Sequence, residues 1–387
     1  MKIGDSIYLD YQATTPVDPV VIEAMTPHFF TQFGNPHSSE HIFGWQAAEA
    51  VDMSSGQLAN LIGADKDEIV FTSGATESNN LALFGLAGRR HGRNKVLLSP
   101  IEHKSVLAVA EELQKKFEIE SLIIPVNYEG IVDLDFISDN IDDSVLAISV
   151  IAVNNEIGTI QPLSEIGKLS MKHGIIFHCD AAQAPCSISI DVINMNIDLL
   201  SLSAHKMYGP KGIGALYVKR EHKNRLEPQI FGGGQQNNLR SGTIPVPLCV
   251  GFGKSAELIS GEMGKIERIR IAKFRNHFID SLSKLNWTIQ CNGPRDCFRH
   301  PGNANIMFDS FSAYDILTAL QPKVAASSGS ACTSGTTEPS YVLRSIGLND
   351  DQANSSIRFS FGRFTTISEI NEAVMRINET LMNLVEN

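Results

Sequence analysis

Ser201-Leu-Ser203-Ala-His205-Lys206-Met-Tyr-Gly209-Pro-Lys211-Gly-Ile-Gly214 lies between two apolar runs, Ile197-Asp-Leu-Leu200 and Ala215-Leu-Tyr-Val-Lys219. Both runs read as buried strands. The glycines and proline between them forbid a regular helix and favour a tight turn. Lys206 therefore sits just beyond a strand end, beside a hydroxyl and an imidazole. A lysine amine becomes a useful nucleophile when its surroundings lower its pKa or when it forms a Schiff base with a carbonyl. Taken alone, a lysine in a Gly/Pro turn reads as a surface residue, and Lys211 is read that way. The rest of the chain reverses that reading for Lys206.

Upstream, strands of four to seven residues alternate with helices of ten or more. The expected strands are Ile7–Asp10, Glu68–Thr72, Lys95–Ser99, Leu122–Val126, Ser144–Val150 and Ile175–His178. The expected helices are Val20–Phe30, Trp45–Ile62 (stopping at Gly63), one beginning at Leu81, Val106–Lys116 and Leu163–His173. This alternation predicts βαβ units, a largely parallel sheet and helices on both faces. Functional residues then belong at strand carboxyl ends. His103, Asn155, Asp180, His205 and Lys206 all follow apolar strands. Thr72-Ser-Gly-Ala75-Thr76-Glu77 joins a strand to a helix N-terminus, where backbone N–H groups and the helix dipole favour an anion. Simple N-capping by Ser73 or Thr76 is the competing reading.

Beyond Val218 the pattern changes. Phe231–Thr243 is a long polar loop. A long amphipathic helix is expected over Val246–Leu285, with Gly261 as a candidate break. A smaller α+β unit follows, with strands at Trp287–Gln290 and Ala304–Phe308 and helices at Ala313–Leu320, Tyr341–Ile346 and Ser368–Val385. It contains a tract of small and hydroxyl residues, Ala325–Pro339, with one cysteine, Cys332.

The 387 residues are 43% hydrophobic and 19% charged, as in an ordinary globular enzyme. A net charge of −11 argues against an overall basic nucleic-acid-binding surface, so no direct DNA binding is expected. Lys219–Arg225 is a candidate local basic patch. The six cysteines form no CxxC pair, which argues against a zinc site or a disulfide framework, and no metal is expected. No signal sequence and no run of membrane-spanning length is visible, so the expectation is a cytoplasmic protein with free thiols.

A turn lysine, an aspartate after a strand, a Gly/Thr phosphate turn, a histidine able to stack and a hydroxyl beside the lysine are the parts that pyridoxal 5′-phosphate (PLP) requires. At this point the chain resembles the cysteine desulfurases, in the class V aminotransferase branch of PLP enzymes. The matching segments run from Tyr8–Pro16 to Ser356–Ser360. The most specific are Thr72–Ser78, Val153–Gly158, Ser203–Gly212, Arg240–Thr243 and Ser328–Ser334. The last is similar to the subgroup with an extended, mobile cysteine loop, which includes housekeeping enzymes of iron–sulfur cluster assembly and tRNA thiolation.

The resemblance implies an α/β PLP-dependent transferase fold of the aspartate aminotransferase type. Residues 15–260 would form a large domain with a mostly parallel seven-stranded sheet. Residues 1–14 and 261–387 would form a small α+β domain carrying the loop 325–339. Lys206 would hold PLP and move the Cα proton, and Asp180 would pair with the ring nitrogen. His103 would stack on the ring and shuttle protons, while Gln183 would reach the ring hydroxyl. Ala75, Thr76, Ser203 and His205 would hold the phosphate, with Thr243 doing so from the partner subunit of a homodimer. Asn35, Asn155 and Arg358 would bind the substrate carboxylate, for which a guanidinium fork is suited; Asn155 also counts among the cofactor contacts.

Cys332 decides between reactions. A thiolate on a loop can attack the sulfur of bound L-cysteine, leaving alanine and a persulfide that is carried to an acceptor protein, a scaffold or sulfurtransferase where an iron–sulfur cluster is transiently built. Selenocysteine lyase or another class V aminotransferase is the alternative on the same fold. A PLP-fold partner protein without turnover is the alternative from another class. Cys179 and Cys186 read as buried small hydrophobes, and His173, His178 and His222 are given no role. Resembling enzymes carry an acidic then a basic residue where this chain has Gln236-Asn237-Asn238, and housekeeping members extend further beyond Leu384.

Overall fold

The computed structural model describes residues 1–328 and 338–386. Its centre is a seven-stranded sheet. Across it the strands are Ile69–Thr72, Gly214–Val218, Leu199–Ser203, Ile176–Asp180, Val145–Ser149, Lys95–Leu98 and Glu120–Ile123. The last five pair in parallel, and Gly214–Val218 runs antiparallel to both its neighbours. Four of the central strands are buried along their whole length, so they read as continuous apolar runs rather than alternating ones. Two apolar layers cover the sheet. One contains Leu58, Phe177, Leu202 and Phe252, the other Leu86, Val109, Ile176 and Val218.

A third apolar cluster joins Ile7 and Leu9 to Phe278, Ile306, Phe359 and Ile377. It packs around an antiparallel sheet of Ile289–Asn292, Asn303–Phe308 and Ser356–Ser360, and the helix Ile367–Glu386 covers it. Asp10 bridges to Ser360, which brings the N-terminal segment beside the strand carrying Arg358.

Most expected elements are present within a few residues, and Leu163–His173 and Ala313–Leu320 match at both ends. The helix Ile42–Ile62 ends where Gly63 adopts φ 72°, a left-handed cap that glycine takes without steric cost. Two expected helices are broken. Val20–Phe30 becomes Pro19–Met25 and Pro27–Phe30, because Pro27 has no N–H to continue the first helix. Val246–Leu285 becomes Val246–Ile259 and Gly261–Leu282, with Ser260 extended (ψ 156°) and Gly261 at φ 70°.

The candidate basic patch is neutralised. Arg220 reaches Asp65 and Asp67 at 2.7 and 2.8 Å, Lys223 reaches Asp67 at 3.0 Å, and Lys219 reaches Glu221 at 2.8 Å. Among the described residues, no helix is long and apolar enough to cross a membrane.

Candidate active site

The carboxyl ends of the parallel strands open into a cavity of about 680 Å³. Ala75, Thr76, His103, Asn155, Asp180, Gln183, Ser203, His205, Lys206 and Arg358 all line it. Asn35 and Thr243 are exposed and lie outside this lining. Cys332 lies outside the described residues.

Lys206 closes a short 3-10 turn, Ala204–Lys206, directly after the strand Leu199–Ser203. Its Nζ donates to the carbonyls of Gln12 and Ala13 at 2.6 and 2.8 Å. Asp180 is the last residue of its strand. Its Oδ2 accepts from Asn79 Nδ2 at 2.7 Å and its Oδ1 from the Ala182 N–H at 3.0 Å. His103 stands at the N-cap of the helix Lys104–Phe117, where its Nδ1 accepts from the Ser105 N–H at 3.1 Å.

One end of the cavity is built for an anion. The helix Ala75–Gly88 begins after Gly74, and no side chain among the described residues caps it. Capping by Ser73 or Thr76 is therefore not what these residues do here. Gly214 is required by close approach: a Cβ there would meet Gly74 Cα at 2.6 Å. Ser203 and His205 stand beside this helix end. Burial and the charges of Lys206 and Lys211 push the His205 imidazole down to about 4, so it is neutral. Its Nδ1 is paired with Thr14 Oγ1 at 3.1 Å.

At the other side Arg358 is 2% exposed. Its Nη2 donates to Asp10 Oδ1 at 2.7 Å and its Nη1 to the Asn155 carbonyl at 2.9 Å, while its buried Nε has no partner among the described residues. A carboxylate brought into the cavity would satisfy that donor. Glu102 and Glu156, next to His103 and Asn155, are also buried, and burial raises both carboxyls.

Several lining residues escaped the sequence reading. Gln12 and Ala13 act through backbone carbonyls, which leave no mark in a sequence. Glu77 binds Arg240 at 2.9 Å and the Ser73 N–H at 2.7 Å. Lys211, read as a surface lysine, is exposed yet lines the cavity, because the turn that carries Lys206 folds it back over the same opening. Cys179 is buried as expected, and burial raises its thiol. Cys186 is half-buried, with its thiol pushed up to about 12.

The donor set fits PLP: an amine for an aldehyde, a fixed carboxylate for a ring nitrogen, an uncapped helix end for a phosphate, and an unsatisfied guanidinium nitrogen for an amino-acid carboxylate. Comparison with known proteins points the same way. The aminotransferase class-V family matches residues 7–372. The cysteine desulfurase IscS of Rickettsia bellii is 48% identical over 373 residues, covering 96% of this chain and 90% of that protein. That of Rickettsia massiliae is 47% identical over 386 residues, covering 100% and 93%. Among solved structures, a NifS-like protein superposes with a TM-score of 0.90 at 29% identity, covering 97% of this chain and 99% of that one. SspA in complex with cysteine superposes with a TM-score of 0.80 at 36% identity, covering 93% and 99%.

Proposed function

The chain belongs to the aminotransferase class-V family, and from that membership we infer that it is a PLP-dependent cysteine desulfurase, converting L-cysteine to L-alanine and passing the sulfur to an acceptor protein. The observation that carries this reading is the single cavity in which Lys206, Asp180 and Arg358 meet. Bound PLP supplies an electron-withdrawing ring joined to the substrate nitrogen, which stabilises negative charge developing on the amino acid.

The chain's own residues then have separate tasks. Lys206 Nζ would hold the cofactor's aldehyde carbon and afterwards take and return the Cα proton. Asp180 would keep the ring nitrogen protonated, Gln183 would reach the ring hydroxyl, and His103 would cover one ring face. Ala75, Thr76, Ser203 and His205 would hold the phosphate. Arg358, Asn155 and Asn35 would orient the substrate carboxylate. Cys332 Sγ would bond to the substrate sulfur as the Cβ–S bond breaks. L-cysteine plus enzyme thiol then gives L-alanine plus enzyme persulfide: the sulfur is oxidised to the sulfane level, and Cβ is reduced to a methyl group.

A homodimer belongs to the same proposal, with Thr243 of a second copy completing the phosphate site. The exposed Phe29, Phe30, Phe33, Phe43 and Trp45 support it, since an apolar surface of this kind marks an interface. The proposed division is a large domain, 15–260, and a small one, 1–14 with 261–387. The separate apolar cluster around Phe278 and Phe359 supports it. The acceptor would serve cytoplasmic iron–sulfur cluster assembly or thiolation of tRNA or cofactors.

The test is alanine formed from L-cysteine with and without a thiol reductant. About one equivalent without reductant and many with it is the expected result, as a covalent intermediate that must be cleared requires. No alanine from PLP-loaded protein under either condition overturns the reading. Alanine formation that survives Cys332→Ala would move the assignment to another reaction on this fold.

A further inference from the structure

Asp180 and His103 are joined by two residues that the functional reading leaves without a task. Asn79 is fully buried on the helix Ala75–Gly88. Its Nδ2 donates to Asp180 Oδ2 at 2.7 Å and to Ser105 Oγ at 2.9 Å. Ser105 Oγ lies 2.8 Å from His103 Nδ1, and the Ser105 N–H donates to the same Nδ1 at 3.1 Å.

Two bonds in this chain have a forced direction: the Asn79 amide donates to Asp180, and the Ser105 backbone N–H donates to His103 Nδ1. A carboxylate only accepts, so the Asn79 amide must present its NH₂ to Asp180. Both hydrogens of that NH₂ are then used, the second on Ser105 Oγ. Ser105 Oγ accepts from Asn79, and because the Ser105 N–H already donates to His103 Nδ1, the hydroxyl turns its own hydrogen to the same nitrogen. Two donors thus converge on Nδ1, and a nitrogen receiving two donors carries a lone pair. The imidazole proton must be on Nε2.

We propose that Asn79 and Ser105 are positioning residues that hold His103 as the neutral tautomer protonated on Nε2 and tie it to Asp180. His103 then turns an N–H toward the cavity rather than a lone pair. This inference rests on reading the cavity as the PLP site, and it adds to that reading which face of the imidazole the cofactor and substrate meet. It replaces a freely shuttling His103 with one whose proton is fixed.

The test uses the full chain with ¹⁵N-ring-labelled histidine, loaded with PLP, at neutral pH. The His103 signals are assigned by their loss in His103→Gln. The expected wild-type signature is Nδ1 unprotonated and Nε2 protonated. Ser105→Ala, which keeps the backbone N–H but loses the hydroxyl donor, should shift the Nδ1 resonance toward that of an unbonded ring nitrogen, and Ser105→Thr, which keeps the hydroxyl, should retain the wild-type signature. Asn79→Leu should weaken PLP retention about tenfold, as the loss of one hydrogen bond to a charged group predicts. A wild-type His103 protonated on Nδ1, or a Ser105→Ala signature identical to wild type, overturns the proposal. Failure of the wild-type chain to bind PLP would overturn the functional reading instead, and the tautomer is read independently of that outcome.

Discussion

The hydroxyl of Ser340 donates to Oε2 of Glu156 at 2.6 Å. Ser340 directly follows Pro339, the end of the tract that contains Cys332, and Glu156 directly follows Asn155 of the cavity. Ser340 Oγ also accepts from the Leu343 N–H at 3.2 Å and so caps the helix Tyr341–Ser345. Tyr341 Oη donates to the carbonyl of Glu102, next to His103, at 2.6 Å. At the other end of the tract, Ser327 exchanges two backbone bonds with Arg358, at 2.6 and 3.2 Å. Both ends of the cysteine tract are therefore fastened to residues that line the cavity or stand next to lining residues in the chain. Ser340→Ala removes a cap and leaves a buried carboxyl oxygen short of a donor, a loss of about 1–2 kcal/mol. The expected outcome is a lower unfolding midpoint and a lower kcat for alanine formation, with PLP content unchanged. A variant with wild-type kcat would mean that this anchor does not help to place the tract.

Two buried histidines and a half-buried one set an acid limit on stability. Burial pushes His178 down to about 4, against the opposing charge of Asp180. Burial likewise lowers His205 to about 4 and His300 to about 3. Their folded values lie below the unfolded value of 6.5. The unfolded chain therefore binds more protons between 6.5 and those values. Stability is complete above that window and falls as the pH drops through it, by up to about 1.4 kcal/mol per pH unit for each histidine. His178 is paired with Ser149 Oγ at 2.8 Å and Ser201 Oγ at 3.2 Å. His178→Gln should reduce the acid slope of the urea midpoint by about one proton's share. An unchanged slope would remove His178 from this account.

The neutral carboxamide of Gln236 pairs with the backbone of Phe71. Its Oε1 accepts from the Phe71 N–H at 2.6 Å and its Nε2 donates to the Phe71 carbonyl at 2.8 Å. The carboxamide thus pairs with the edge strand of the central sheet as a neighbouring strand would. Gln236, Asn237 and Asn238 all have φ between 50° and 63°, a left-handed turn that asparagine tolerates well. Gln236→Glu keeps the acceptor and sets a carboxylate oxygen against the Phe71 carbonyl. A loss of about 1–3 kcal/mol is expected, measured by chemical denaturation. A stability equal to wild type would show that the pairing adds nothing.

The strand-end residues were legible because local signals fixed them. Lys206 and Asp180 each follow an apolar run, and glycines punctuate the Lys206 turn. What the sequence concealed depends on distant partners. Lys219–Arg225 looked basic because Asp65 and Asp67 lie about 150 residues upstream and meet it only through the sheet edge. Asn79 reads as one more polar residue in a helix until the fold places it between Asp180 and Ser105. The break at Ser260 escaped a definite reading because the apolar spacing runs through it. The chain turns there to cross from the sheet layers to the cluster around Phe278.

Arg358 gives the sharpest substrate prediction, because among the described residues two of its nitrogens are committed and the third is not. Its Nη2 is held by Asp10 at 2.7 Å and its Nη1 by the Asn155 carbonyl at 2.9 Å. That pairing fixes the guanidinium plane before any ligand arrives, and the buried Nε is left without a partner among the described residues. Lysine keeps the charge, but one ammonium cannot reproduce three donors in a fixed fork. Arg358→Lys should therefore raise KM for L-cysteine about 10- to 100-fold, the worth of one or two charge-assisted bonds. Asp10→Asn should give a smaller rise of the same kind, since it loosens the plane and leaves the donor present. Steady-state kinetics on PLP-saturated protein distinguishes the two. A KM unchanged in Arg358→Lys would take Arg358 out of substrate binding and leave it as the tie between Asp10 and Asn155.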